Sequence, residues 1–401
     1  MHTRNVYIAT ILRYKNTPLI KVITGMRRVG KSVLLKQVMA HIKSMEPSAA
    51  CVYLSKEDFA YETVRTAKDL NHFIQESFAG AKKARRRYMF IDEIQEIVQW
   101  EKPIVSLLAQ GDTDIYVTGS NAHLLSSELA TLISGRYVEI QIFPLSLSEF
   151  SLFKSAPDAS RVWKDYLKYG GLPVLHHMEF NEETAYPYLN SLWNTILLKD
   201  VVARYQVRNV DLLQRIAQFV FDNLGHIITA KSIADYLKSQ RVRVGVETVQ
   251  NYLHYLASTY VLNKVPRYDI KGKKHLEIYE KYFLGDIGLR HALLGYRETE
   301  LSGVLENVVY LALRQRGYVV SIGKIGELEV DFIAVKDQKK LYVQVSYLLA
   351  TSKIIAREIA PFLKIQDNYP KWLISLDEHL GHDLEGVRRW YLPDFLLSND
   401  Y

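Results

Sequence analysis

Residues 25–32 are Gly-Met-Arg-Arg-Val-Gly-Lys-Ser, which matches every fixed position of the pattern G-x-x-x-x-G-K-[ST]. A mostly apolar run at residues 19–23 precedes this stretch, and a helical pattern at residues 33–39 follows it. Glycines let the backbone bend so that its N–H groups point at phosphate oxygens, and the N-terminus of the following helix adds a positive dipole end. The order strand, glycine loop, helix therefore predicts a phosphate-binding loop.

The side chains of this loop have distinct expected tasks. Lys31 reaches the β- and γ-phosphates of a nucleoside triphosphate, and the Ser32 hydroxyl is a magnesium ligand. A glycine turn without a ligand is the alternative, but the flanking strand and helix disfavour it. The residues predicted to bind the nucleotide are Gly25, Met26, Arg27, Arg28, Val29, Gly30, Lys31, Ser32 and Val33.

Two adjacent carboxylates, Asp92 and Glu93, end the apolar stretch at residues 88–91. Asp92 lies where a Walker B aspartate holds magnesium, directly or through water. Glu93 is placed to polarise the attacking water as a general base. An isolated acidic pair is commonly a solvated strand cap, but its coexistence with the loop at residues 25–32 favours the catalytic interpretation.

Polar residues also follow the apolar stretch at residues 114–118, where Gly119 precedes Ser120 and Asn121. Ser120 and Asn121 are predicted to contact the γ-phosphate and to orient the attacking water. Ordinary turn chemistry is the alternative for this short motif.

Residues 1–150 alternate apolar strands with amphipathic helices, which predicts an α/β fold with a doubly wound, mostly parallel sheet. Ligands of such sheets bind at the carboxyl ends of the strands, where the loop, the acidic pair and Ser120 all fall. The candidate strands are residues 19–24, 50–55, 87–92, 114–118 and 137–142.

Taken together, these motifs resemble the AAA-type P-loop ATPases found as stand-alone bacterial and archaeal proteins. That family pairs an AAA core with a C-terminal domain of unknown function. The resemblance spans essentially the whole chain. The matching motifs fall on Arg4, Gly25 to Ser32, Asp92 to Gln95, Thr118 to Ser120, Ser134 to Arg136 and Pro144 to Phe150.

The resemblance implies a P-loop core at residues 1–150 that binds ATP and Mg²⁺, and a helical lid at residues 151–225 that closes over the nucleotide. It also implies that Arg136 acts on the γ-phosphate across a subunit interface; a salt bridge at a helix end is the alternative. Arg204 is a candidate phosphate contact, although an ion pair with Asp200 explains it equally well.

Residues 226–275 have the pattern of a winged helix, with two short helices and a hairpin whose turn is basic (Lys271–Lys274). A recognition helix of this kind can enter the major groove of double-stranded DNA. Winged helices also bind proteins, and the two partners stay open at this point. The candidate exposed residues of the second helix are Thr248, Gln250, Asn251 and His254.

Residues 276–401 resemble the core of PD-(D/E)xK nucleases, in which carboxylates hold magnesium and a lysine helps to activate water. Glu306 and Asp331 match that pattern. Gln344 replaces the second acid and Ser346 replaces the lysine, so the resemblance implies an α/β nuclease-like domain whose chemistry is lost.

The composition is that of an ordinary globular protein, with 48% hydrophobic residues and a net charge of +7, which permits contact with nucleic acid without requiring it. The basic run at residues 82–87 is expected to be a solvated connection. One cysteine, Cys51, excludes an internal disulfide, and a reducing cytoplasm is the expected compartment. We find no apolar stretch that would cross a bilayer, no histidine zinc motif and no Gly-x-Ser-x-Gly elbow.

The sequence thus predicts an ATP-hydrolysing, magnesium-dependent switch whose winged-helix and nuclease-like modules contact partners. The partners expected beside ATP are double-stranded DNA, another protein or further copies of the chain, without a membrane. The alternatives are a nucleotide-gated DNA-binding regulator and an ATP-dependent nuclease.

Overall fold

The computed structural model describes residues 2–80, 86–122, 133, 135–154, 159–298, 301–378 and 383–398. The chain divides into two compact units. The first comprises Met1–Ile142 and Ser258–Tyr260, and the second comprises Phe143–Ala257 and Val261–Tyr401. The finer division at residues 150, 225 and 275 stays a prediction.

Within the described residues, the first unit contains a parallel sheet of five strands in the order β2-β3-β4-β1-β5. Each strand begins and ends within one residue of its predicted bounds, which confirms the parallel α/β core. The strands are β1 (Ile20–Thr24), β2 (Ala50–Ser55), β3 (Arg87–Asp92), β4 (Thr113–Gly119) and β5 (Tyr137–Gln141).

Helices alternate with these strands. The central strands β1 and β4 are buried along their whole length, as expected for a sheet covered on both faces. The third helix begins at a capping box in which Thr66 and Asp69 bond each other's backbone N–H groups, which fixes where the chain turns helical. The helices are α1 (Asn5–Leu12), α2 (Lys31–Met45), α3 (Ala67–Ala79) and α4 (Glu101–Gln110).

The second unit begins with a helical region. A π-helix, Ile196–Val202, follows α7 and buries Asp200, while Arg204 lies in the short α8 and is half-buried. In the described part of the chain, no helix is long and apolar enough to cross a membrane. The helices are α5 (Leu147–Lys154), α6 (Ala159–Tyr169), α7 (Glu182–Thr195), α8 (Ala203–Tyr205), α9 (Val210–Asp222), α10 (Ala230–Ser239), α11 (Val246–Ser258), α12 (Ile287–Leu294), α13 (Ser302–Gln315), α14 (Ser352–Leu363) and α15 (Leu392–Leu397).

A mixed sheet, with nine strands among the described residues, continues the second unit in the order β13-β14-β12-β11-β10-β9-β7-β8-β6. The apolar side chains of α13 pack in one core with those of β10 and β11, and those of α14 pack in another. The strands are β6 (Ile227–Ile228), β7 (Leu262–Asp269), β8 (Lys274–Leu284), β9 (Val319–Ile325), β10 (Leu328–Lys336), β11 (Lys339–Val345), β12 (Lys371–Ser375), β13 (Asp383–Leu384) and β14 (Val387–Tyr391).

The hairpin β7–β8 is part of this sheet because β7 pairs in parallel with β9. The helix, helix and hairpin expected within residues 226–275 are present as α10, α11 and β7–β8, although β8 extends to Leu284. The winged-helix and nuclease-like assignments themselves stay predictions. The sheet nevertheless joins two segments that the sequence patterns separate at residue 275.

Candidate active site

The loop at residues 25–32 connects β1 to α2, as its pattern predicts. Gly25 has a φ of +140°, and a Cβ atom placed there would lie 2.3 Å from the carbonyl oxygen of Ile142. Gly30 precedes α2 with a φ of +96°. Glycine adopts a positive φ without strain, so the backbone favours glycine at both positions, and at Gly25 the close approach of Ile142 also excludes a Cβ atom.

Lys31 is the first residue of α2, and its side chain is buried. Its Nζ donates hydrogen bonds to the carbonyl oxygens of Gly25 at 2.9 Å and Met26 at 3.1 Å. The same atom lies 4.0 Å from Oε1 of Glu93. The ammonium therefore lies between the loop and the acidic pair.

Asp92 ends β3 and is buried among hydroxyl groups from neighbouring elements. The Ser32 hydroxyl donates to Oδ1 of Asp92 at 3.0 Å, and the Thr118 hydroxyl donates to the same oxygen at 2.6 Å. The hydroxyls of Tyr53 and Ser55 lie 3.4 Å from Oδ2. The phosphate loop and the acidic strand are thus joined into one site.

Glu93 follows Asp92 with a left-handed backbone, at a φ of +55°. Its N–H donates to the Thr118 hydroxyl at 2.9 Å, which holds this turn against β4. Its Oε2 accepts hydrogen bonds from the Ser120 hydroxyl at 3.1 Å and from the Gln95 side-chain amide. Because of this left-handed turn, the Glu93 carboxylate points toward Ser120 and Lys31, which lie at the carboxyl end of the sheet.

The pKa of Glu93 reflects two opposing effects. Burial disfavours the charged carboxylate, but the Lys31 ammonium, the Gln95 amide, the Arg27 guanidinium and the Ser120 hydroxyl together outweigh it. The pKa of Glu93 is therefore below its ordinary value. The group is ionised at neutral pH, which is the state in which a general base acts.

The oxygen atoms of Ser32 and Asp92 suit a magnesium ion. Mg²⁺ prefers oxygen ligands and commonly takes only one or two from the protein, leaving the rest to phosphates and water. The hydroxyl of Ser32 and the carboxylate of Asp92 already lie 3.0 Å apart. The donor set therefore fits the expected metal.

Ser120 and Asn121 follow β4 and are both buried, and the Ser120 hydroxyl lies 3.1 Å from Oε2 of Glu93. Arg136 lies elsewhere. It is exposed, and its carbonyl oxygen accepts from the N–H of Ile20, at the amino end of β1. At about 3.3 Å per residue, that end of the strand is roughly 15 Å from the phosphate loop.

The remaining loop residues differ in exposure. Met26 and Val29 are buried, Arg27 is half-buried, and Arg28 and Val33 are exposed. Several predicted features, namely residues 82–85 of the basic run and Ser134 of the motif before Arg136, lie outside the described residues.

Motif analysis gave no role to several residues that the structure places at the site. Thr118 and Gln95 belong to recognised motifs, so their positions were visible in the sequence but their bonds to Asp92 and Glu93 were not. Arg4 is buried, and its guanidinium donates to the carbonyl oxygen of Val29 at 3.2 Å. Glu139 accepts from Thr24 at 2.7 Å, just before the loop.

Models of two protein families match parts of the chain. An AAA domain family matches residues 17–151, which covers β1, the phosphate loop and the acidic pair. A domain of unknown function, DUF8612, matches residues 160–300. The matched residues include the whole five-stranded parallel sheet of the first unit.

Two uncharacterized proteins are similar over most of their length. One, from Haemophilus influenzae, is 37% identical over 403 residues, which covers 99% of each chain. The other, from Methanocaldococcus jannaschii, is 29% identical over 366 residues, covering 86% of this chain and 78% of its own. Among solved structures, the Walker-type ATPase PABY2304 of Pyrococcus abyssi has a similar fold, with a TM-score of 0.52 and 14% identity over 73% of this chain and 96% of its own.

Proposed function

The chain belongs to the same family as its Haemophilus influenzae relative, and we propose that it is a magnesium-dependent, ATP-hydrolysing switch of the AAA type. The observation that carries this proposal is the hydrogen bond of 3.0 Å between Ser32 and Asp92. That bond joins the phosphate loop to the acidic strand, so one bound nucleotide can engage both.

ATP binds with its phosphates against the backbone N–H groups of residues 25–33. Lys31 exchanges its bonds to the carbonyl oxygens of Gly25 and Met26 for the β- and γ-phosphates.

Ser32 and Asp92 would hold the Mg²⁺ ion, which would neutralise negative charge on the phosphates. The role of the chain is to fix these two ligands, and Thr118 contributes by holding Asp92 through the bond of 2.6 Å.

Glu93 accepts a proton from the attacking water as that water attacks the γ-phosphorus, and ADP leaves with the electron pair of the broken bond. Ser120 and Asn121 orient the water and the γ-phosphate. Arg136 is too far from the loop of its own chain, so we propose that it acts on the nucleotide of a neighbouring copy in a homo-oligomer. This role would be supported if the ATPase rate per chain falls on dilution and if Arg136→Ala abolishes ATP hydrolysis.

The proposal is tested by separating binding from turnover. Glu93→Gln keeps the size of the side chain but cannot accept a proton, so it should bind ATP normally and stop phosphate release. The control is Glu96→Gln, an exposed carboxylate on the same turn. Lys31→Ala should abolish binding, whereas Lys36→Ala, one turn along on the exposed face of α2, should not.

A second candidate function is DNA binding by the predicted winged helix. Gln250, Asn251 and His254 are exposed on α11, and Thr248 is half-buried. The loop before α11 and the turn of the hairpin β7–β8 expose five basic residues, Arg241, Arg243, Lys271, Lys273 and Lys274. Exposed cations of this kind are suited to phosphate contacts with double-stranded DNA.

The double variant Arg241→Gln/Arg243→Gln tests this second function. It should weaken binding to double-stranded DNA, and it should lower the slope of log K against log salt by about two. Lys102→Gln, an exposed lysine of α4, is the control. If the wild type shows no salt-dependent DNA binding, the exposed face of α11 is better explained by a protein partner.

The single cysteine favours a reducing compartment, and a cytoplasmic location stays a prediction.

A further inference from the structure

The second unit contains a buried lysine surrounded by carboxylates. Lys281 lies on β8 and is only 2% exposed. Its Nζ lies 2.7 Å from Oε1 of Glu329, 3.1 Å from Oε2 of Glu306 and 3.6 Å from Oδ1 of Asp331. We call Lys281 and these three carboxylates the lysine cluster.

The cluster includes both acids that match the nuclease pattern. Glu306 is on α13 and Asp331 is on β10, next to Gln344 on β11. Gln344 is turned to other partners, because its amide donates to Glu358 at 3.1 Å and its oxygen accepts from the N–H of Asp331 at 3.2 Å. Its side chain therefore does not complete a set of oxygen ligands around the two acids.

The surrounding chain closes on the cluster. A Cβ atom placed on Gly225 would lie 2.9 Å from Oε1 of Glu306, so the backbone before β6 is pressed against that carboxylate. Lys281 is fixed by the pairing of β8 with Ile227 of β6. Oδ2 of Asp331 accepts from the N–H of Val345 at 2.8 Å. In the part of the chain that the structure describes, no group of three or more acidic, histidine or cysteine residues is arranged to hold a metal.

We propose that the ammonium group of Lys281 is a built-in cation that takes the place of a divalent metal among Glu306, Glu329 and Asp331. A divalent cation could enter only by displacing a buried positive charge that already contacts all three carboxylates. The residues present therefore do not fit the metal of a PD-(D/E)xK nuclease. The C-terminal part of the chain is a metal-independent module, and this conclusion does not depend on ATP hydrolysis.

The electrostatics of the cluster agree with this arrangement. Burial raises the pKa values of Glu306 and Asp331, and the ammonium of Lys281 opposes that effect. Burial would by itself lower the pKa of Lys281, but the three carboxylates outweigh it and keep the lysine charged. The pKa values of both acids stay raised, and Lys281 supplies a positive charge to the cluster without a metal.

The test is the binding of Mn²⁺, measured by electron paramagnetic resonance on the full chain. Every protein carries Asp92→Asn to weaken the separate metal site of the first unit. On that background, the parent should show no Mn²⁺ bound at the cluster. Lys281→Met should gain a site for one Mn²⁺ that the parent lacks, because the oxygen ligands lose their internal cation.

Two further variants control this experiment. Lys264→Met removes a lysine of the same hairpin that pairs at the surface with one carboxylate, Glu280, at 2.6 Å, and it should gain no site. Lys281→Met/Asp331→Asn should lose the gained site. Thermal melting shows whether each variant is folded before its Mn²⁺ titration is interpreted.

Two results would overturn the proposal. One is a folded Lys281→Met protein that binds no more Mn²⁺ than the parent. The other is a parent that binds Mn²⁺ and loses it on Asp331→Asn, since the cluster would then hold a metal beside the lysine. The second measurement decides the question even if Lys281→Met fails to fold, because it needs only the parent and Asp331→Asn.

Discussion

Replacing Thr118 by valine tests whether the two acids are held by the end of β4. The Thr118 side chain is fully buried, and its hydroxyl makes two bonds at the site. It donates to Asp92 at 2.6 Å and accepts from the N–H of Glu93 at 2.9 Å. Valine keeps the shape of threonine but removes both bonds.

The expected effect follows from the kind of bonds lost. A hydrogen bond to a charged group contributes about 1.5–3 kcal/mol, and a buried N–H left without a partner costs about 1–3 kcal/mol. Asp92 keeps the Ser32 hydroxyl at 3.0 Å, so part of the loss is offset. We expect the free energy of unfolding to fall by about 2–4 kcal/mol.

Catalysis should fall because Asp92 and Glu93 lose their common support. If the whole free energy of the bond to Asp92 serves to position this carboxylate for catalysis, its loss lowers kcat by about 10- to 100-fold, since about 1.4 kcal/mol corresponds to a factor of ten. ATP affinity should change much less, because the backbone of residues 25–33 is untouched. The assays are phosphate release and equilibrium ATP binding at a temperature where the variant is folded.

The matched control is Thr113→Val at the opposite end of the same strand, where the hydroxyl bonds only Asp112 among the contacts that the structure describes there. A folded Thr118→Val protein with kcat within about twofold of the wild type would show that Thr118 does not support the two acids. So would a variant that loses ATP affinity as strongly as kcat.

Two further predictions concern the same site. Gln95→Leu removes a hydrogen bond that lowers the pKa of Glu93, so that pKa rises and the acid limb of the pH profile of kcat should move to higher pH. The control variant is Gln110→Leu. An acid limb that does not move would show that Gln95 has no role at the site. Gly25→Ala places a Cβ atom 2.3 Å from the carbonyl oxygen of Ile142, so ATP binding should be lost. The control is Gly80→Ala, whose Cβ atom meets nothing within 4 Å and which should bind ATP like the wild type. Normal ATP binding by Gly25→Ala would show that the loop can adjust to the added methyl group.

The core of the first unit was predictable because its signals are local. The five strands are short apolar runs with helical patterns between them, and a parallel sheet brings their carboxyl ends to one edge. That rule alone places the phosphate loop, Asp92 and Ser120 near one another. The fold of the first unit therefore follows from about 150 residues of pattern, whereas the roles of the site residues stay predictions.

The supporting contacts were not predictable in the same way. The bond from Gln95 to Glu93 depends on the left-handed turn at Glu93, and no residue preference predicts that turn. The Ser55 hydroxyl approaches Asp92 only because β2 and β3 are neighbours with Ser55 and Asp92 in register. Such contacts arise from tertiary packing, so motif spacing does not reveal them.

The lysine cluster illustrates the same limit over a longer distance. The nuclease pattern directs attention to residue 346, where serine replaces the expected lysine. The structure instead brings Lys281 from a hairpin outside the pattern to the two matching acids. The pairing of β7 with β9 brings the hairpin that carries Lys281 into the same sheet as Asp331, but these two strands are far apart in the sequence.

A single-turnover experiment, with excess protein over ATP and with magnesium present, tests whether Glu93 is the general base when the wild type and Glu93→Gln are compared. We expect both proteins to bind the ATP, the wild type to convert it to ADP and phosphate, and Glu93→Gln to retain it intact. Conversion by Glu93→Gln at the wild-type rate would show that Glu93 is not the base of an ATPase.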